Sequence, residues 1–272
     1  MCCSAGVNSA RHTSPSIRNV SFNPIGFEGP QTKQRLAGDS FNDTTTDIRR
    51  KIGWISWALF QRIQTVITLP DIEQRLASYE AQLSPIRPST RQAAVAIILR
   101  ERDRAGTNVT DLLFIRRAEK SGDPWSGHMA FPGGHIESSD SSLLDAAIRE
   151  TCEEIGLDLG THGKHIGTID HQRAQPRGRP MNMVIAPYVF RLHHEPPFLP
   201  NHEVAEVVWT PLDPIAKGTN HTEEERVVNG SPVLFSGYRI NGGHFVWGLT
   251  YRMMQSFFQA LDPKWEPPEQ HG

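Results

Sequence analysis

Apolar residues fall into short runs along the chain, and the period of the runs changes from one stretch to the next. QAAVAIILRER (92–102) is a nearly unbroken Val- and Ile-rich run, which predicts a buried strand. DLLFIRRA (111–118) reads as its partner across a polar loop. MNMVIAPYVFRL (181–192) and EVAEVVWTPL (203–212) read as further strands, and KHIGTIDHQR (164–173) as strand and loop. VLFSGYRINGGHFVWG (233–248) has the form of a hairpin about Asn241-Gly242. SGDPWSGHMAFPGG (121–134) reads as loop.

Helical spacing appears in SSLLDAAIRETCEEIG (141–156) and in a closing stretch, LTYRMMQSFFQALD (249–262). Two more helices are predicted upstream, at about 46–67 and 71–82, separated by Pro70 and with Asp71 and Glu73 in the first turn of the second. Residues 1–45 show no sustained period and are read as a flexible N-terminal extension. The expected organisation is that extension, a helical segment over 46–90, a main domain over 91–262 and a tail over 263–272. Strands mixed with helices predict an α/β (α+β) fold, a mixed β-sheet covered by helices.

Composition narrows the function. A hydrophobic fraction of 38% supports a real core, and 28 basic against 30 acidic residues leave a formal charge of −2. Such a chain has no bulk attraction for nucleic acid or anionic lipid, which favours a small-molecule substrate. Three cysteines, Cys2, Cys3 and Cys152, make neither a disulfide framework nor a zinc site, so a cytoplasmic setting is expected, with organellar targeting by residues 1–45 as the weaker reading. The most apolar stretch, 52–69, contains Arg62 and gathers Ile52, Ile55, Leu59, Ile63, Val66 and Ile67 on one side. It reads as a packing face rather than a membrane span.

On the 141–155 helix, Leu144, Ala147, Ile148, Thr151 and Ile155 form a core stripe, and Gly156 supplies the stop. Glu150, Glu153 and Glu154 then share a flank away from that stripe, with Arg149 one turn before Glu153. Cys152 is expected on the core side and inert. An exposed helix tolerates such a cluster, since each like-charge pair costs only ~0.2–0.5 kcal/mol. A divalent cation is the other explanation, because Mg²⁺ favours a few carboxylate oxygens together with substrate phosphate and water. The preceding Gly133-Gly134 pair lets backbone approach closely and favours the metal reading.

These residues resemble the signature box of the Nudix hydrolases. Gly134 is followed by five residues and Asp140, then eight residues to Arg149-Glu150, two to Glu153-Glu154, and Ile155-Gly156-Leu157. The acid is Asp140 rather than glutamate, and the spacer is one residue longer than usual. Both departures resemble the coenzyme A diphosphatase branch. The resemblance covers about 92–262 and implies a Nudix-type α/β/α sandwich. It implies that Glu150, Glu153 and Glu154 bind Mg²⁺ or Mn²⁺, with the Gly134 carbonyl as an added ligand. Arg149 would orient Glu153, and Asp140 would support water around the metal. Hydrolysis of a P–O–P bridge by an activated water follows, with Glu150, Glu203 and Glu206 as candidates for the group that takes its proton.

Other positions are weighed against ordinary structural roles. Arg116 and Arg117, at a strand end, are candidate phosphate ligands, though strand-end arginines are more often solvated. His128 is a candidate substrate contact or a loop residue with a backbone hydrogen bond. The basic connection 171–180 reads equally as a substrate lip or a solvated loop, and the paired histidines His193 and His194 lack a partner at metal spacing. VWGLTYRM (246–253) resembles an element of the coenzyme A branch, whereas Asp123-Pro124-Trp125 departs from it. Coenzyme A or an acyl derivative is therefore the leading substrate. ADP-ribose or another nucleotide sugar is the alternative, and a non-catalytic Nudix-fold binding module is the competing class. A homodimer is compatible with either reading, and no nucleic-acid partner or stable membrane insertion is expected.

Overall fold

The structure is a computed structural model and describes residues 67–123, 125–174, 182–228 and 230–268. All of them fall in one compact unit, residues 63–272. The stripe and helix expected over 46–67 lie almost wholly outside the described residues, as does most of the basic connection after residue 174.

The first described helix, α1 (Leu69–Ala77), begins two residues earlier than predicted and ends well before residue 82. Pro70 belongs to this helix, in its first turn, where its missing N–H costs nothing. Thr68 caps the helix by accepting from the Asp71 amide. Leu69, Ile72 and Leu76 then form the buried face.

Strand β1 (Arg91–Arg104) is central. It pairs parallel with β7 (Met183–Leu192) on one edge. On the other edge its second half pairs antiparallel with β2 (Thr107–Arg117), from Leu99↔Leu112 onward. Its first half pairs instead with β4 (Gly133–His135), while the end of β2 pairs with β3 (Met129–Ala130). β1 and β2 thus diverge on the N-terminal side of Leu99, and the segment 129–135 fills the wedge, tied down where the Ala96 amide donates to Pro132 O at 2.8 Å. The 121–134 loop expected from sequence therefore includes β3 and the start of β4. β5 (Gly163–Thr168) and β6 (Gln172–Arg173) flank β7, and β8 (Val204–Pro211) flanks β2.

Strand alternation distributes β1 between two cores. Ile97 and Leu99, with Leu112 and Phe114 of β2, face α1 and the closing helix α5 (Gly248–Leu261). Ala96 and Ile98, with Leu113 and Ile115, face the opposite layer, where α2 (Leu143–Ile155) packs through Ile148 and Ile155. The sheet is buried on both sides, which explains its unbroken apolar runs, and the result is the expected α/β/α sandwich with a mixed sheet. Two short helices, α3 (Leu159–His162) and α4 (Leu212–Ala216), were not predicted.

A second sheet joins β9 (His221–Val228), β10 (Ser231–Arg239) and β11 (Phe245–Trp247) in an antiparallel meander. The hairpin expected about Asn241-Gly242 is β10–β11, turned by a 3-10 segment in which Gly242 and Gly243 adopt positive φ. Strand β9 was missed, because HTEEERVV is charged on both faces.

Candidate active site

The predicted helix bearing the carboxylates is α2. Ser142 caps it, accepting from the Asp145 amide, and Gly156 ends it in the left-handed region at φ 71°. Its N-terminal half lies against β4, with Ala146 and Ala147 packed on Ala94 of β1. These small residues let helix and sheet approach closely. The glycine pair sits at the same junction, where position 133 requires glycine and position 134 is crowded by a side chain of the helix. Gly133 sits at φ 145°, with the β1 backbone where a Cβ would be, and at Gly134 the Glu150 carboxylate fills that space.

Three carboxylates on one helix have three environments. Glu153 is exposed and pairs with Arg149 Nη1 at 3.1 Å. Glu150 is half-buried, and its Oε1 accepts from Arg149 Nη2 at 3.2 Å. Burial pushes the Glu150 carboxyl up, with Arg149 acting against it. Glu154 is not on an open flank as expected: it is 3% exposed, and its Oε2 accepts from the Gly133 amide at 2.9 Å. Desolvation pushes its carboxyl up to about 8 despite that hydrogen bond. Glu150 and Glu203 repel its charge and Arg117 attracts it, so all three lie within electrostatic reach.

Arg149 is the hub. Besides Glu150 and Glu153, its Nη2 donates to His135 O at 2.9 Å. Asp140 receives both Nε and Nη2, at 2.9 and 3.0 Å, and the Glu137 amide at 2.8 Å. The Asp140 side chain is almost fully buried against Arg149 and positions the guanidinium, and the Arg149 hydrogen bonds hold its carboxyl below the usual range. The turn at 137–140, just ahead of the spacer, is closed by the Asp140 amide donating to Glu137 O at 3.1 Å.

Among the described residues, no three acidic, histidine or cysteine side chains converge as a closed ligand set. In this arrangement Arg149 holds Glu150 and Glu153, and the Gly133 amide holds Glu154. The donors still suit a hard divalent ion. Mg²⁺ needs only one or two carboxylates when water and phosphate complete its shell, and Glu150 and Glu154 are close enough to repel each other across the glycine pair.

The remaining expected site residues lie at the end of β2. Its pairing with β8 shifts between Arg116 and Arg117. Arg116 Nε lies 3.5 Å from Glu206 Oε2 without hydrogen-bonding geometry, and Arg117 Nη2 pairs with Asp123 Oδ2 at 3.1 Å, so neither is the solvated residue expected of a strand end. The Nε atoms of both arginines are buried without a hydrogen-bond partner. His128 makes backbone hydrogen bonds, its amide donating to Trp125 O at 3.1 Å and its carbonyl accepting from the Arg117 amide at 3.0 Å, while its ring packs edge-on against Trp247 at 4.7 Å. Burial, then Arg226, pushes the His128 imidazole down. Glu206 also meets His244 at 3.1 Å. Cys152 is half-buried rather than inside the core. No described helix is long and apolar enough to cross a membrane.

Sequence reading missed Arg226 and Phe235, which border His128 and Trp247. The available signal was Asn229-Gly230, an Asn-Gly dipeptide between two β-prone runs.

Comparison with known proteins identifies the family. The NUDIX domain family model matches residues 90–229, from the start of β1 to the end of β9. An uncharacterized Nudix hydrolase, NudL, from Citrobacter koseri is 32% identical over 190 residues, covering 68% of this chain and 90% of that protein. The uncharacterized protein C14C4.10c of Schizosaccharomyces pombe is 32% identical over 154 residues, 51% of this chain but 46% of its own length, so the match spans about half of that relative. The crystal structure of a MutT/nudix family protein from Enterococcus faecalis aligns at a TM-score of 0.44 with 18% identity, covering 72% of this chain and 70% of that one. The extent of the family match, together with a bacterial relative covered almost end to end, establishes that this chain belongs to the Nudix hydrolase family.

Proposed function

We propose that this Nudix hydrolase cleaves the diphosphate of coenzyme A or an acyl-coenzyme A, using Mg²⁺ or Mn²⁺ held by Glu150, Glu153 and Glu154 with the Gly134 carbonyl. The observation that supports the metal site is the Glu150 carboxylate seated over Gly134, with buried Glu154 on the neighbouring Gly133 amide. A cation bound there supplies charge neutralisation for the phosphate oxygens and a more acidic water.

The chain's own groups do the rest. Arg149, fixed by Asp140, keeps Glu150 and Glu153 at the cleft. Arg117, beside Glu154, offers a free Nε–H to a phosphate oxygen. Water adds its oxygen to one phosphorus, the bridging P–O bond breaks, and the departing phosphate keeps the bridge oxygen. Glu150 or Glu203 accepts the water proton. Glu206 suits that role less, being engaged by His244 and Arg116.

The coenzyme A assignment is supported by the lengthened spacer between Asp140 and Arg149 and by the Trp247-Gly248 element. Mass spectrometry of the products tests it: adenosine 3′,5′-bisphosphate and a 4′-phosphopantetheine are expected. A preference for ADP-ribose of tenfold or more over coenzyme A would overturn it.

A further inference from the structure

The small sheet has two unlike faces. Tyr238 and Val246 are fully buried in the core shared with α5. On the other face, cross-strand pairing sets Arg226 opposite Val233, Glu224 opposite Phe235, and Gly237 between Thr222 and Trp247, with Arg239 opposite Phe245. Because Gly237 lacks a side chain, the Phe245 ring lies across its position. Three rings and two guanidinium groups are thereby brought together. Phe235 meets Trp247 edge-on at 4.6 Å, and Arg226 sits 4.7 Å over Trp247 and 5.4 Å over Phe245.

Charge on this face is unbalanced. Arg226, at 3.1 Å, and Arg239 share the single carboxylate of Glu224. The Nε of Arg226 is buried without a hydrogen-bond partner, an unfavourable arrangement that an incoming acceptor would relieve. The face adjoins the active site through His128, whose ring touches Trp247 and whose carbonyl holds the Arg117 amide. Two arginines with unpartnered Nε–H groups therefore stand on either side of His128, one next to Glu154 and the other beyond the indole ring.

We infer that Arg226 is a specificity residue that grips a phosphate of the substrate other than the diphosphate being cleaved, with Trp247 and Phe235 against the adjoining nucleoside. The guanidinium fork suits a phosphate dianion. This inference rests on the diphosphatase reading above and deepens it. The substrate class becomes a nucleoside diphosphate derivative carrying an additional phosphomonoester, which coenzyme A satisfies and ADP-ribose does not.

The test compares coenzyme A with 3′-dephospho-coenzyme A on the full chain and on Arg226→Met. The variant is expected to raise KM for coenzyme A at least tenfold, to change kcat less than threefold, and to leave the dephospho substrate unaffected. Arg226→Lys should recover part of the KM. Equal losses on both substrates, or none, would overturn the assignment. Calorimetric titration with adenosine 3′,5′-bisphosphate and with AMP decides the matter even if neither diphosphate is cleaved, an outcome that would count against the proposed activity alone. The wild-type chain should bind the bisphosphate at least tenfold more tightly than Arg226→Met does, whereas equal affinities would sink the inference.

Discussion

The carboxylate of Glu150 occupies the space into which any side chain at Gly134 would have to project. The glycine is thus constrained by a neighbour's carboxylate and not by its own backbone, since the left-handed conformation belongs to Gly133. Gly134→Ala should displace Glu150 and lower kcat/KM by about 10²-fold, the cost of a misplacement on the order of 1 Å at a reacting centre. Steady-state kinetics alongside far-UV circular dichroism would check this, and unchanged kinetics in the folded variant would contradict the proposed site.

Glu154→Gln should cut turnover by roughly 10³-fold or more while the protein stays folded, an estimate from the scale on which removing one preorganised electrostatic group acts. Glutamine fills the same buried space and keeps an acceptor for the Gly133 amide. Cys152→Ser, on the same helix, should leave activity within about twofold, since a half-buried surface substitution is usually mild. A comparable loss from both would count against the division of roles.

Metal removal gives the most direct check. Product formation should cease in excess EDTA and return with Mg²⁺ or Mn²⁺. Full activity in chelator would remove the carboxylate cluster from the mechanism.

Asp140→Ala takes away the bidentate partner of Arg149. Losing hydrogen bonds to a buried charge should destabilise the fold by about 1.5–3 kcal/mol, read as a lower midpoint in urea. It should also reduce kcat, because Arg149 would no longer hold Glu150 in register. If stability falls and kcat does not, Asp140 is a packing residue only.

Acid stability should depend on Asp158, the cap of α3. Its carboxylate accepts from the Thr161 hydroxyl at 2.8 Å and the Gly160 amide at 2.9 Å, and the Thr161 hydrogen bond leads in holding it below the usual range. Folding favours the ionised form. That contribution is complete above the unfolded value near pH 4 and disappears as pH falls through the lower folded value. Asp158→Asn should therefore flatten the melting temperature between about pH 5 and pH 3, and an unaltered profile would refute the assignment.

Legibility in the sequence followed the number of buried faces. β1, β2 and β7 were readable because they are covered on both sides and leave long apolar runs. Helix α2 was readable from its stripe and its closing glycine. The depth of Glu154 was not, since helical spacing places Glu150, Glu153 and Glu154 on one arc but cannot say that β4 approaches one edge of it. Strand β9 was hidden because HTEEERVV carries charge on both faces, so no apolar alternation marks it. Asp140 was legible as an acid of the motif, but its bidentate hold on Arg149 was not, because only the folded turn brings the two together.

The divergence of β1 and β2 has a consequence for how this scaffold can change. β4 is sewn to β1, and α2 is fixed against both, so the stretch between His135 and Leu143 is moored at each end by rigid structure. Lengthening such a tether adds little closure entropy, about 0.6 kcal/mol for a doubling. Residues can be inserted there while Gly134 and Glu150 keep their mutual position. The seam therefore allows the rim around the chemical centre to be re-cut for a different molecule without the centre itself being rebuilt.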